Sequence, residues 1–188
     1  MIREKQVKKI FEMQIQAGLG FIPSNRKEVL GKIILSVLIL GTVAALCSRF
    51  PAQFGSGWYH QLRQPPFAPP YWLPFVMWTL VYILMGWSFG LIWHVAGKSK
   101  DPMVRKKART GIFLFGVHLL FNLIFPIILI GLQQPRIAFV DMLILIVLIG
   151  ILIRYFYPLN RTAAYLLIPY LFWILYAAAL NLSIIILN

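Results

Sequence analysis

Apolar residues run along this chain in five blocks, at about 30–48, 72–95, 111–132, 137–157 and 163–187, and most basic residues sit between them. At ~1.5 Å per residue, about twenty helical residues cross the ~30 Å hydrocarbon layer of a bilayer. In hydrocarbon every backbone donor and acceptor must be paired, and a helix does this within one segment. The pattern therefore predicts an all-α fold, a polytopic membrane protein built as a five transmembrane helix bundle. Its expected domains are a basic tail over 1–29 and a membrane domain over 30–188. Five spans put the two termini on opposite sides.

Composition agrees with the pattern. The 188 residues are 60% hydrophobic with a mean hydropathy of +0.79, far from a soluble domain. A formal charge of +13 would suit a nucleic-acid binder, but it is split into short clusters between apolar runs. Assigned to the loops of a five-span chain, fifteen basic residues fall on the side of the N-terminus and three (Arg49, Arg63 and Arg136) on the other. That asymmetry predicts a cytoplasmic N-terminus, an external C-terminus and a cell membrane, with the bacterial inner membrane as the expected location. The tail, with Ile10, Phe11, Met13 and Ile15, either lies on anionic lipid or is a disordered basic arm. A cleaved signal peptide does not fit, because no convincing cleavage site follows and four more apolar runs remain.

The chemistry-bearing residues are few. Cys47, the one cysteine, excludes an intrachain disulfide and a cysteine-built metal site. His60, His94 and His118 are scattered and form no metal motif, and no phosphate-binding glycine loop is present. His94, at a helix end, is expected at the interface. No internal repeat supports an inverted-repeat transporter. A formal sterol-recognition pattern, Leu152, Tyr157 and Arg161, closes the fourth span.

The stretch 58–87 stands apart. Pro65, Pro66, Pro69, Pro70 and Pro74 remove donors and restrict the residues before them, so its first half is expected to be non-helical. The loop 49–71 is expected to cover an intramembrane cavity. Beyond it Trp78, Tyr82, Met85, Phe89 and Trp93 recur at helical spacing, as either a packing surface or a binding face. Gly86 and Gly90 permit close helix approach. In the third span His118 and Asn122 lie one turn apart with Phe125, and both polar groups need partners inside the bundle, as interhelical bonds or as ligand contacts. Pro126 is expected to kink that helix and free a carbonyl near Asn122. Asp141, the one acid in an expected span, suits either the helix dipole of the fourth span or a functional role. In the fifth span Pro169, Trp173, Ala177 and Asn181 are spaced by four, which sets a large aromatic beside small residues on one face.

Three blocks resemble the TspO/MBR family, which comprises tryptophan-rich sensory proteins and translocator (peripheral benzodiazepine receptor) proteins. The first is WYHQLRQPPFAPPYW with Trp78, Tyr82, Met85 and Gly86; the second is HLLFN..F over 118–125; the third is LLIPYLFW…A..LN over 166–181. The likeness covers about 33–188. It implies a homodimeric five-helix membrane protein that binds tetrapyrroles, porphyrin or haem, and synthetic benzodiazepine-type ligands. No obligatory cofactor, no metal site and no nucleic acid are implied. The expected ligand-binding residues are Trp58, Tyr59, Pro69, Trp78, His118, Asn122, Phe125, Asp141, Trp173 and Ala177. Trp78 and Trp173 are the candidate catalytic pair if the protein is an enzyme of light- or oxygen-dependent porphyrin breakdown; transport is a third possibility. Phe67 stands where the family usually has Trp, and Pro126 where it often has Ser. No Lys or Arg follows Tyr176, so the sterol motif of animal members is missing.

Overall fold

The computed structural model describes residues 26–188, with side chains described everywhere except 47–56. The tail to residue 25 and the Cys47 side chain lie outside the described residues. The helices are α1 (Arg26–Gln61), α2 (Leu73–Lys98), α3 (Pro102–Pro126), α4 (Pro135–Phe156), α5 (Arg161–Tyr165) and α6 (Ile168–Leu187), and no strand occurs among the described residues. Five segments are long and apolar enough to cross a membrane: Arg26–Leu46, Leu73–Lys98, Pro102–Gly131, Pro135–Phe156 and Arg161–Leu187.

Helix boundaries follow local chemistry. Asp101 caps α3 by accepting from the Met103 N–H at 2.8 Å, with Pro102 in the first turn where no donor is needed. Asn160 caps α5 in the same way through the Ala163 N–H at 2.9 Å. Pro169 sits in the first turn of α6, and the fifth span is split into α5 and α6 just before it. Pro126 ends α3, and the backbone widens into a π turn, Ile127–Gly131, closed by a Leu132 N–H to Ile127 C=O bond of 2.8 Å.

Two expectations about α1 are corrected. The helix is already formed at Arg26, the first described residue, and stays helical through Gln61, so Trp58 and Tyr59 are helical and the irregular loop is only 62–72. The backbone breaks where Pro65 and Pro66 remove two successive donors. At ~1.5 Å per residue a helix of this length is ~54 Å, so its last turns extend past a ~30 Å hydrocarbon layer.

The α1–α2 contact rests on the two glycines. A Cβ on Gly86 would fall 2.6 Å from Val37 Cα, and one on Gly90 2.7 Å from Ile33 Cα. The small-residue pair of α2 thus seats the backbone of α1, within one chain. At the basic end of the bundle Glu28 pairs with Lys32 at 3.2 Å and Lys98 at 3.0 Å, which ties the start of α1 to the end of α2. Ser88 donates to the Ala163 carbonyl at 2.8 Å and joins α2 to α5. The aromatic stripe of α2 faces inward: Met85 is fully buried, and Trp78, Tyr82 and Phe89 pack on the core. His94 is buried, not interfacial, and neither ring nitrogen has a partner among the described residues. Leu152 of the formal sterol pattern is also buried, so that pattern does not present a continuous lipid-facing surface.

Candidate functional site

Towards the proline-loop end the helices enclose a cavity of about 810 Å³. Its wall draws on α1, α2, α3, the π turn, α4, α6 and the loop. Seven of the ten expected site residues line it: Tyr59, Pro69, Trp78, Asn122, Phe125, Trp173 and Ala177. They converge because α1 stays helical to Tyr59, the prolines fold Pro69 back over the bundle, and the fourfold spacing on α6 points Trp173 and Ala177 the same way. Trp78 is the hub of an aromatic wall, with ring centroids 6.1 Å from Tyr82, 6.4 Å from Phe125 and 6.3 Å from Tyr170. Trp173 and Tyr176 form a second aromatic pair at 5.4 Å.

Trp58, His118 and Asp141 are not among the lining residues. Trp58 lies edge-on to Tyr59 at 6.5 Å. His118 is fully buried behind the wall. Asp141 is the seventh residue of α4, past the first turn where the helix dipole acts, so the dipole does not account for it. It is buried next to the lining residue Met142, and its Oδ2 has no partner among the described residues.

The polar part of the site is a chain of hydrogen bonds that runs from the half-buried Tyr82 into the core. The Tyr82 hydroxyl donates to Asn122 Oδ1, Asn122 Nδ2 donates to Tyr170 Oη at 2.9 Å, and Tyr170 Oη meets His118 Nε2 at 3.2 Å. Asn122 and Tyr82 are at the cavity wall, whereas Tyr170 and His118 are fully buried. Two further wall residues carry unpaired polar atoms among the described residues: Trp173 at Nε1, and Asn181 at both ends of its amide.

The loop 62–72 is fastened to α6 at two points. The Tyr176 hydroxyl donates to the Phe67 carbonyl at 2.9 Å. Asn188 accepts from the Arg63 N–H at 2.9 Å and donates to the Arg63 carbonyl at 3.2 Å. The Ala68 N–H to Pro65 C=O and Leu73 N–H to Pro70 C=O bonds, both 2.9 Å, fold the loop into two turns. Tyr59, under the loop, has its phenol held above its ordinary value of 10, first by burial and then by Tyr176 and Tyr71, so it stays protonated as a donor.

Sequence reasoning missed Tyr82 and Tyr176 as site residues, and it missed Tyr170 and Asn188 as the residues that organise the site. Tyr82 stood in the α2 stripe, and Tyr176 lies one turn from Trp173; those spacings were the available signal. Nothing in the one-dimensional pattern pairs residue 188 with residue 63.

Fold and site together define a five-span helical membrane protein with an aromatic-walled cavity under a proline-rich loop. The chain belongs to the TspO/MBR family, which it matches over residues 33–187. It is 35% identical over 157 residues to the tryptophan-rich protein TspO of Archaeoglobus fulgidus, covering 84% of this chain and 97% of that one. It is 37% identical over 130 residues to the translocator protein homolog of Schizosaccharomyces pombe, covering 69% and 77%. The human translocator protein is 31% identical over 134 residues, covering 71% and 76%.

Proposed function

We propose that this protein binds a tetrapyrrole, porphyrin or haem, in the cavity under the proline loop and acts as a sensor, scavenger or regulator. The observation that carries this is the cavity itself. Its volume of about 810 Å³ falls within the ~300–1,000 Å³ of small-molecule sites, and its wall is built largely of aromatic and aliphatic side chains. Trp78 and Trp173 on two different helices offer a flat conjugated ring a stacking surface. Synthetic benzodiazepine-type ligands fit the same apolar space, and a homodimer in the bacterial inner membrane is the expected assembly and location.

A second function, light- and oxygen-dependent porphyrin breakdown, is favoured by one observation: both indoles line a single cavity. Indole is the most readily oxidised of the aromatic side chains. Titrating the purified protein with protoporphyrin, first in the dark and then under light, tests both. Saturable quenching of tryptophan fluorescence supports binding, and a new product spectrum supports the enzyme. Absence of both sinks the tetrapyrrole proposal and leaves transport or another ligand.

A further inference from the structure

Charge is spread unevenly over the end of the bundle where α2 meets α3 and α4 meets α5. Between α1 and α2 the Glu28 carboxylate neutralises Lys32 and Lys98. The other two described acids are engaged elsewhere: Asp101 caps α3, and Asp141 is buried near the opposite end of α4. The cations at the junction of α4 and α5, Arg154 and Arg161, are exposed and have no acidic partner among the described residues.

The backbone holds Arg161 in place. The Phe156 carbonyl at the end of α4 accepts from the Leu159 N–H at 2.9 Å and the Asn160 N–H at 2.8 Å, and Asn160 then caps α5. This tight turn sets the Arg161 guanidinium over the Tyr157 ring, 5.2 Å from its centroid. The Tyr165 ring meets Tyr157 edge-on at 6.0 Å. Arg154 lies three residues before Tyr157, whose backbone is still helical, so the two share a face. A guanidinium laid over a ring keeps its N–H donors at its edge, where they can fork onto two oxygens of a phosphate. Tyr157 is 41% exposed and Tyr165 54%, at the level where the spans Pro135–Phe156 and Arg161–Leu187 meet, the position of rings in a headgroup layer.

We propose that Arg161 on Tyr157, with Arg154 beside it and Tyr165 closing one side, is a binding site for the phosphate of an anionic phospholipid. A zwitterionic headgroup brings an ammonium as well, and no free acid stands here among the described residues to receive it. The site lies at the other end of the bundle from the cavity and does not depend on what the cavity binds.

Native mass spectrometry of the detergent-purified full chain, titrated with phosphatidylglycerol or with phosphatidylcholine of the same acyl chains, tests this. The wild type should bind the first phosphatidylglycerol more tightly. A basic residue near a membrane surface contributes about fivefold, so Arg161→Gln should lower the ratio of the two affinities about fivefold, and Arg154→Gln with Arg161→Gln about twenty-fivefold. Arg161→Lys keeps the charge without the planar fork and should fall between wild type and Arg161→Gln. Tyr157→Leu, which keeps both cations, should lower the ratio about two- to fivefold. The control, Lys100→Gln with Lys106→Gln, removes as much charge from exposed positions and should leave the ratio unchanged. A loss in the control equal to that in the double arginine variant would reduce the site to diffuse charge and overturn the proposal. Equal affinity of the wild type for the two lipids, or a ratio unmoved by Arg161→Gln, overturns it as well. In a parallel thermal-unfolding assay, protection by millimolar inorganic phosphate equal to that by phosphatidylglycerol would make free phosphate the occupant and also overturns it.

Discussion

Replacing Tyr176 by phenylalanine separates a latch from a ligand contact. The ring, which lines the cavity and packs on Phe67 at a centroid distance of 6.4 Å, is kept. What is lost is one hydrogen bond, the 2.9 Å donation to the Phe67 carbonyl that holds loop 62–72 on α6. A net hydrogen bond of this kind is worth about 1 kcal/mol, which is roughly fivefold in an equilibrium between closed and open loop. If the loop must open for a ligand to pass, and the latch is the same with and without ligand, both exchange rates rise by that factor and the dissociation constant stays fixed. Asn188→Ala, which removes two bonds to Arg63 at the other end of the loop, should act in the same direction. The assay is stopped-flow quenching of tryptophan fluorescence by protoporphyrin, with association and dissociation measured separately. A slower association or a weaker affinity at unchanged association would make Tyr176 a ligand contact. Unchanged rates in both variants would refute the loop as a gate.

Gly86→Val and Gly90→Val should each destabilise the protein by about 1–3 kcal/mol or more, because a Cβ at either site falls on the α1 backbone; denaturation in detergent measures it, and wild-type stability would contradict the packing described. Trp78→Phe and Trp173→Phe should each weaken porphyrin binding by no more than about tenfold, since stacking adds ~0.5–1.5 kcal/mol beyond burial. If the protein is an enzyme, the same changes nearly abolish light-driven loss of bound porphyrin, and equal rates at saturation in all three proteins would remove both indoles from catalysis. Reporter fusions at each terminus should place the N-terminus in the cytoplasm and the C-terminus outside, as the basic-residue asymmetry requires; a cytoplasmic C-terminal reporter would contradict that topology.

Along the chain, hydrophobicity alone determined the five spans, because hydrocarbon admits only segments that pair their own backbone, and that demand is written as about twenty apolar residues. Local spacing was enough to bring Trp173 and Ala177 to one face, since a fourfold repeat on a helix needs no knowledge of its neighbours. The two glycines of α2 were readable as a close-packing site, but only the tertiary structure named the partner as Val37 and Ile33 of the same chain. The end of α1 was misjudged because the prolines that break it lie after Gln61, and an apolar count does not see a helix that continues beyond the hydrocarbon. The placement of Asp141 beyond the reach of the helix dipole depended on where α4 begins, and helix starts are read poorly from sequence. What sequence could not reach at all are contacts between distant residues. The 52 positions between His118 and Tyr170, and the 125 between Arg63 and Asn188, are closed by the packing of whole helices. Such pairings leave no periodic trace on either segment, so the hydrogen-bonded chain behind the cavity and the latch over it exist only once the bundle has assembled.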